Sequence, residues 1–127
     1  MSVFFIHMSA LSKQDLHNLA MNIIGKKLEE AGFEFLAVNS LITRHPQFVC
    51  VNANQKKYFI LVKAVTYPDN PEDYDPVWME SVKLQAKKFD AHLWFAGVGL
   101  AKASAPEELL TKEDDFMLNF KGFNKIC

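Results

Sequence analysis

The chain has few cysteines and no long apolar run. Its only cysteines are Cys50 and Cys127, too few for a disulfide framework. No segment approaches the roughly 20 apolar residues of a membrane-spanning helix. The apolar start MSVFFIH lacks the basic region, the length and the cleavage site of a secretory signal. We therefore expect a cytoplasmic protein without a membrane partner, in which Cys50, within FVCVNA, is a small core residue.

Charge of one sign and obvious site motifs are also scarce. The formal net charge of −1 argues against strong non-specific binding of nucleic acid, which normally needs a basic excess. No glycine-rich phosphate loop is present. The histidines have no ligand spacing with one another or with the cysteines, so no zinc site is predicted: His7, His17, His45 and His92.

What the chain does have is enough apolar material for one domain spanning residues 1–127. Half of the residues are hydrophobic and eleven are Phe, which suffices for a core without disulfides or metal. Ser12, with Asp15 three residues later, is a capping-box-like start for a helix over residues 12–31. Apolar residues then recur at helical spacing up to Gly32, a typical C-terminal stop.

The rest of the chain alternates between strand-like and helical segments. FEFLAVNS predicts a first strand, and QFVCVNA and YFILVKAVTY predict a hairpin joined by NQKK. After the acidic loop PDNPEDYDP, Asp75 and Pro76 predict the start of a helix over residues 76–89. AHLWFAGVGLA predicts another buried strand, APEELLTKEDD a short helix or turn, and FMLNFKGF a final strand. The expected fold is α/β, a mixed sheet flanked by helices in the order α-β-β-β-α-β plus a C-terminal strand.

A single lysine, Lys63, lies inside the apolar strand YFILVKAVTY. With this order of elements, Pro46-Gln47 followed by Leu61-Val62-Lys63 resembles the Pro-Asp and (Asp/Glu)-x-Lys signature of the PD-(D/E)XK nuclease superfamily. KKLEEAGFEFLAVNS is similar to the opening of its resolvase-like branch, and Gln85-Ala-Lys-Lys-Phe89 to its Gln-x-x-x-Tyr helix motif. The resemblance covers residues 12–100, leaves residues 101–127 as an addition, and implies a restriction-endonuclease-like fold.

The departures from this signature remove its metal ligands. In the family two acids hold a divalent cation and the lysine assists the attacking water, because Mg²⁺ prefers carboxylates. Here Gln47 (or Phe48, if the alignment slips by one) and Leu61 replace the acids, and the acid of the first helix would fall near Met21. The resemblance thus implies a catalytically inactive binding or structural module without a cofactor, whose vestigial-site candidates are Gln47, Leu61, Lys63 and Gln85.

Several alternatives stay open at this stage. Asp69 or Asp73 near Lys63 could be relocated ligands of Mg²⁺ in an active nuclease, although acids in such a loop are typical of solvated turns. Lys63 is either a relic that snorkels or pairs with Asp69 or Glu80, or a strand-end lysine that reaches solvent. The α/β topology could also belong to an unrelated interaction domain.

Gln85 also has two interpretations. We expect it on an apolar helical face with Trp78, Val82 and Phe89, where it either bonds strand-end backbone groups or lies beside Lys63.

The partner is equally open between nucleic acid and another protein. A weak basic patch for nucleic acid is predicted from Lys56, Lys57, Lys83, Lys87 and Lys88. Two apolar runs at the ends of the chain are expected to pair at a sheet edge or to form a homodimer: Val3, Phe4, Phe5 and Ile6, and Phe116, Leu118 and Phe120. Translation could begin at Met1 or at Met8.

Overall fold

The computed structural model describes residues 10–127, which form two helices and six strands in that range. The observed order confirms the α/β class and the predicted succession of a helix, three strands, a helix and further strands. The elements are α1 (Lys13–Glu30), β1 (Glu34–Val38), β2 (Phe48–Val51), β3 (Lys57–Thr66), α2 (Pro76–Lys88), β4 (His92–Lys102), β5 (Phe116–Asn119) and β6 (Asn124–Lys125).

Local sequence signals define the helix ends as predicted. The Ser12 hydroxyl accepts the Asp15 N–H and the Asp15 carboxylate accepts the Ser12 N–H, both at 3.0 Å, which completes a capping box. Gly32 follows α1 with φ of 89°, a conformation that favours glycine. Asp75 caps α2 by accepting the Val77 N–H at 2.9 Å, and Pro76 is its first residue.

The strands form one mixed sheet in the order β1-β2-β3-β4-β5. The first three strands are antiparallel neighbours, whereas β3 and β4 are parallel and α2 makes the crossover between them. β5 and β6 both pair with β4, at Gly99–Lys102 and Trp94–Phe95 respectively. The strand that carries Lys63 is therefore central, as predicted.

The helices cover opposite faces of this sheet. On one face, α1 packs Ala20, Ile24 and Leu28 against Ile60 and Val62 of β3, and all five are buried. On the other face, α2 buries a stripe against the alternate residues of β3 and β4, formed by Met79, Val82, Ala86, Phe59, Leu61, Leu93 and Phe95. Cys50 is fully buried on the α1 side, which confirms it as a core residue.

The stripe predicted on the second helix is wrong in part. Gln85 is exposed and does not face the sheet, and Phe89 is 54% exposed although its ring centroid lies 5.8 Å from that of Phe59 in β3. The buried positions Met79, Val82 and Ala86 lie three and four residues apart, and this spacing turns Gln85 away from the core. Gln85 therefore neither lies on an apolar face nor points toward Lys63.

The C-terminal segment contains turns and two short strands. Residues 103–115 have no helix, so of the two predicted alternatives the turn is found. The strand predicted over FMLNFKGF ends early, since β5 stops at Asn119, and β6 begins at Asn124 after Gly122 with its φ of 99°. The run from Phe116 pairs at a sheet edge with β4, as predicted, whereas Val3, Phe4, Phe5 and Ile6 lie outside the described residues. Within residues 10–127 no helix has the length and hydrophobicity to cross a membrane.

Candidate functional site

A cleft opens where β2 and β3 part. β2 begins at Phe48 opposite Ile60, but β3 continues to Thr66, so its last six residues run past the end of β2. The cleft beside this segment has a volume of about 450 Å³. It is lined by Lys13, Leu16, His17, Ile42, His45, Val62, Lys63, Ala64, Val65, Thr66, Asp69, Trp78 and Phe95.

Gln47 is a buried structural residue next to this cleft. It is fully buried, and its Oε1 accepts the Val62 N–H at 2.9 Å, which replaces the next backbone bond of the ladder. Its Nε2 donates to the Arg44 carbonyl at 3.0 Å and to His45 Nδ1 at 2.9 Å, which leaves the His45 ring proton on Nε2. Both amide donors and the oxygen are thus engaged, and Gln47 does not line the cleft.

Leu61 is equally remote from solvent. It is 1% exposed and packs in the core beneath α2. The two positions that correspond to metal-binding acids in the resemblance are therefore occupied by a buried amide, Gln47, and a buried aliphatic side chain. Neither presents a charged oxygen to the cleft, so these residues do not fit a divalent cation.

Lys63 is exposed and lines the cleft. Its Nζ donates to the main-chain carbonyl of Asp73 at 2.8 Å, so the expected partners Asp69 and Glu80 are not used. Glu80 instead pairs with Lys83 at 3.3 Å, one turn along α2. Lys63 is exposed, and both interpretations of this lysine allow an ammonium that reaches solvent. Its position in the cleft leaves it available to a ligand.

Glycine allows the loop that carries Asp73 to lie on the sheet. A Cβ at Gly97 of β4 would collide with the Pro71 carbonyl, and a Cβ at Gly99 would also press on Pro71. The loop can therefore approach β4 only because these positions lack a side chain. This approach sets where the Asp73 carbonyl meets Lys63.

Two histidines, which the sequence spacing did not connect, meet at the cleft. His17 is 3% exposed, and within residues 10–127 its buried Nε2 has no hydrogen-bond partner. Burial lowers the pKa of His17, and the nearby His45 lowers it further. The His45 ring meets Trp78 edge-on, with centroids 5.0 Å apart and planes at 70°.

The first helix contributes His17 to the cleft, and not Met21, where the resemblance would place an acid. Met21 is 5% exposed, lies in the core and does not line the cleft, whereas His17, one turn earlier, does. One signal could have found it: His17 continues the buried stripe of Ala20, Ile24 and Leu28, in which it is the one titratable residue. A polar side chain in such a stripe needs a partner or a function.

The acidic residues do not assemble a metal site in the described chain. Asp69 lines the cleft, but the Asp73 carboxylate accepts from Asn70 Nδ2 at 3.2 Å within its own loop. Residues 10–127 contain no group of three or more His, Cys, Asp or Glu that could hold a metal. The cleft lining carries two lysines, Lys13 and Lys63, against one carboxylate, so its chemistry favours an anion.

The predicted basic patch lies at the other end of β3. Lys57 starts that strand and its Nζ lies 6.0 Å from the ring centroid of Phe89, just beyond α2. Lys56, Lys87 and Lys88 are exposed, and Lys83 is neutralised by Glu80. Six residues of strand, about 20 Å, separate Lys57 from Lys63. The patch and the cleft are therefore distinct surfaces.

Comparison with known proteins places this chain in a family. A family model described as "Domain of unknown function (DUF8840)" matches residues 14–126. The chain belongs to that family. The match includes every element from α1 to β6 except the first residue of α1, and both histidines of the cleft. No curated protein and no solved structure matches the chain.

Proposed function

We propose that this chain is a restriction-endonuclease-like domain without metal-dependent cleavage, and that it binds nucleic acid through phosphate contacts at the cleft beside β3. The observation that carries the proposal is the composition of the cleft: Lys63 and Lys13 line it, while Gln47 and Leu61 are buried and do not. A site of this charge attracts phosphate and lacks the carboxylates that hold Mg²⁺.

The topology supports the resemblance on which the proposal depends. A helix, an antiparallel three-strand unit, a crossover helix and a parallel fourth strand occur in the order that the superfamily resemblance implies. Lys63 also lies beside the point where β2 and β3 diverge. In the resemblance, that is where the acid and lysine motifs meet.

The overall charge sets the expected strength of binding. With a formal net charge of −1, long-range attraction to nucleic acid is weak, and binding must rest on local contacts. We therefore expect modest affinity that falls as salt rises. Each phosphate contact contributes a slope of about 0.7 in log affinity against log salt for a single strand.

The test is a titration of labelled single-stranded oligonucleotide against the wild type and two charge-matched variants. Lys63→Met removes the ammonium from the cleft and keeps the aliphatic stem. Lys88→Met makes the same change in the remote patch, where Lys88 is exposed on the last turn of α2. We expect Lys63→Met to lower affinity and to reduce the salt slope by about 0.7, and Lys88→Met to change neither. Thermal melts confirm that both variants fold.

Three outcomes would contradict the proposal. Loss of affinity in Lys88→Met with none in Lys63→Met would assign binding to the remote patch. Cleavage of plasmid or branched DNA in Mg²⁺ or Mn²⁺, abolished by Lys63→Ala, would support an active nuclease with relocated acids. Absence of any oligonucleotide binding would favour an interaction domain for another protein.

A further inference from the structure

The cleft beside β3 contains more than a phosphate contact requires. Most of its lining is apolar or aromatic, including Leu16, Ile42, Trp78 and Phe95. A volume of about 450 Å³ lies within the range of pockets that enclose a small organic ligand. Apolar and aromatic walls make no favourable contact with a charged phosphate, so they indicate a ligand that also has an apolar part.

The polar groups that line the cleft include His17, whose ring nitrogens can both donate and accept hydrogen bonds. His17 contributes a buried Nε2 that has no partner within residues 10–127, and a buried polar atom without a hydrogen bond is costly. A ligand bond would satisfy it. As a neutral imidazole, His17 offers one donor and one acceptor nitrogen, so it matches the mixed donor and acceptor edge of a nucleobase.

The backbone of β3 adds a second set of hydrogen-bonding groups. The Val62 N–H faces Gln47, so strand alternation directs the N–H and C=O of Ala64 to the same edge. In the part of the chain that the structure describes, no strand lies opposite Ala64 on that side. Ala64 therefore presents a donor and an acceptor along one wall of the cleft.

The aromatic groups are held in place before a ligand arrives. Gln47 Nε2 donates to His45 Nδ1, and the His45 ring contacts Trp78 edge-on. Trp78 is half-buried, so part of its indole remains open to the cleft. Fixed aromatic faces bind single-stranded bases by stacking, with little dependence on the sequence.

We infer that this cleft takes one unstacked nucleobase of a single strand, read by His17 and the β3 edge and stacked on Trp78, while Lys13 and Lys63 hold its flanking phosphates. The inference rests on the proposed function and specifies its ligand. A duplex keeps its bases stacked and paired, so it cannot supply such a base without a cost in unstacking. Single strands are therefore the preferred form.

The experiment compares two oligomers of equal length and charge. One is an oligothymidylate, and the other is the same sugar-phosphate chain without bases. We expect the wild type to bind the intact strand about tenfold more tightly than the abasic strand, the lower part of the range for one stacked base. A fully paired duplex of the same length should bind more weakly than the intact strand.

His17→Phe separates base recognition from phosphate binding. It keeps a ring of similar shape and removes both nitrogens, so it should weaken binding of the intact strand about fivefold, the effect of one lost hydrogen bond. Affinity for the abasic strand should not change. His92→Phe is the matched control, because His92 is exposed on β4, stacks on Tyr58 and is not among the cleft residues.

The failures of the two proposals are distinguishable. If the wild type binds the intact and abasic strands with equal affinity, base recognition is overturned. If Lys63→Met also lowers the affinity for both strands, phosphate binding at the cleft remains supported. An equal loss for both strands in His17→Phe would assign His17 a structural role and overturn its reading of the base. If neither strand binds, both proposals fail. Trp78→Leu provides a second check: it should reduce affinity for the intact strand alone.

Discussion

Gln47 Oε1 accepts a hydrogen bond of 2.9 Å from the main-chain N–H of Val62, one residue before β2 begins at Phe48. The side chain therefore adds one hydrogen bond to the ladder between β2 and β3, beyond the last pair of backbone partners. The same amide fixes His45 through its ring Nδ1. One residue thus joins the strand that carries Lys63 to an aromatic wall of the cleft.

Replacement of Gln47 should be strongly destabilising. Gln47→Ala removes a fully buried side chain and leaves the Val62 N–H and the Arg44 carbonyl without their partner. We expect a loss of about 2–4 kcal/mol in the free energy of unfolding, from the cavity and the unsatisfied groups together. Urea denaturation measures it. A loss below about 1 kcal/mol would mean that water replaces the amide.

Gln47→Glu asks whether the site tolerates a carboxylate in a side chain of the same length as glutamine. A carboxylate can still accept from Val62 but cannot donate to Arg44 or His45. Burial raises the pKa of such a carboxyl above its unfolded value, so the stability is present below the unfolded pKa and is lost as pH rises through the folded pKa. We expect the variant to be more stable at pH 4 than at pH 7 relative to wild type.

The sequence predicts those features of the fold that depend on residues close together in the chain. The caps at Ser12 and Asp75 and the apolar strand signal around Lys63 act over a few residues, and the structure confirms them. The cleft exists because the pairing of β2 with β3 covers only part of β3. That pairing joins residues far apart in the sequence, so no local pattern predicts it. The sequence therefore does not connect His17 with His45. Two overlapping helical stripes fit the segment around Gln85, and only packing against the sheet selects the one that excludes it.

Gly97 should be intolerant of even a methyl group. A Cβ there would collide with the Pro71 carbonyl, which is backbone and cannot rotate away. Gly97→Ala should cost about 1–3 kcal/mol as the loop shifts off the sheet, and should weaken oligonucleotide binding by moving the Asp73 carbonyl away from Lys63. Gly99→Ala is the matched control: its Cβ would lie 3.1 Å from Asn119 Cβ and 3.3 Å from Pro71 Cγ, a milder contact. Equal losses in the two variants would contradict this account.

The two cysteines should differ sharply in reactivity. Cys50 is fully buried, and burial raises the pKa of its thiol to about 11, so the thiolate that reacts is scarce at neutral pH. Cys127 is exposed. A thiol reagent should therefore label one cysteine in the native protein, and peptide mapping should identify it as Cys127. In denaturant both should react, and rapid native labelling of Cys50 would show that the core beneath α1 opens.

The last prediction concerns the pH dependence that His17 gives to stability. Burial and then the proximity of His45 lower the pKa of His17 below its ordinary value of 6.5. The unfolded chain therefore takes up a proton more readily than the folded protein. The contribution to stability is fully present above pH 6.5 and is lost as the pH falls through the folded pKa.

His17→Phe should abolish this contribution. Because the substitution also removes a buried nitrogen without a hydrogen-bond partner in residues 10–127, the variant should be at least as stable as the wild type at pH 7.5. On acidification from pH 7.5 to pH 5 the wild type should lose more unfolding free energy than His17→Phe. His92→Phe should follow the wild-type curve, since it retains His17. Parallel curves for the wild type and His17→Phe would mean that His17 takes up its proton equally well in the folded protein, and that its nitrogen already has a partner in water.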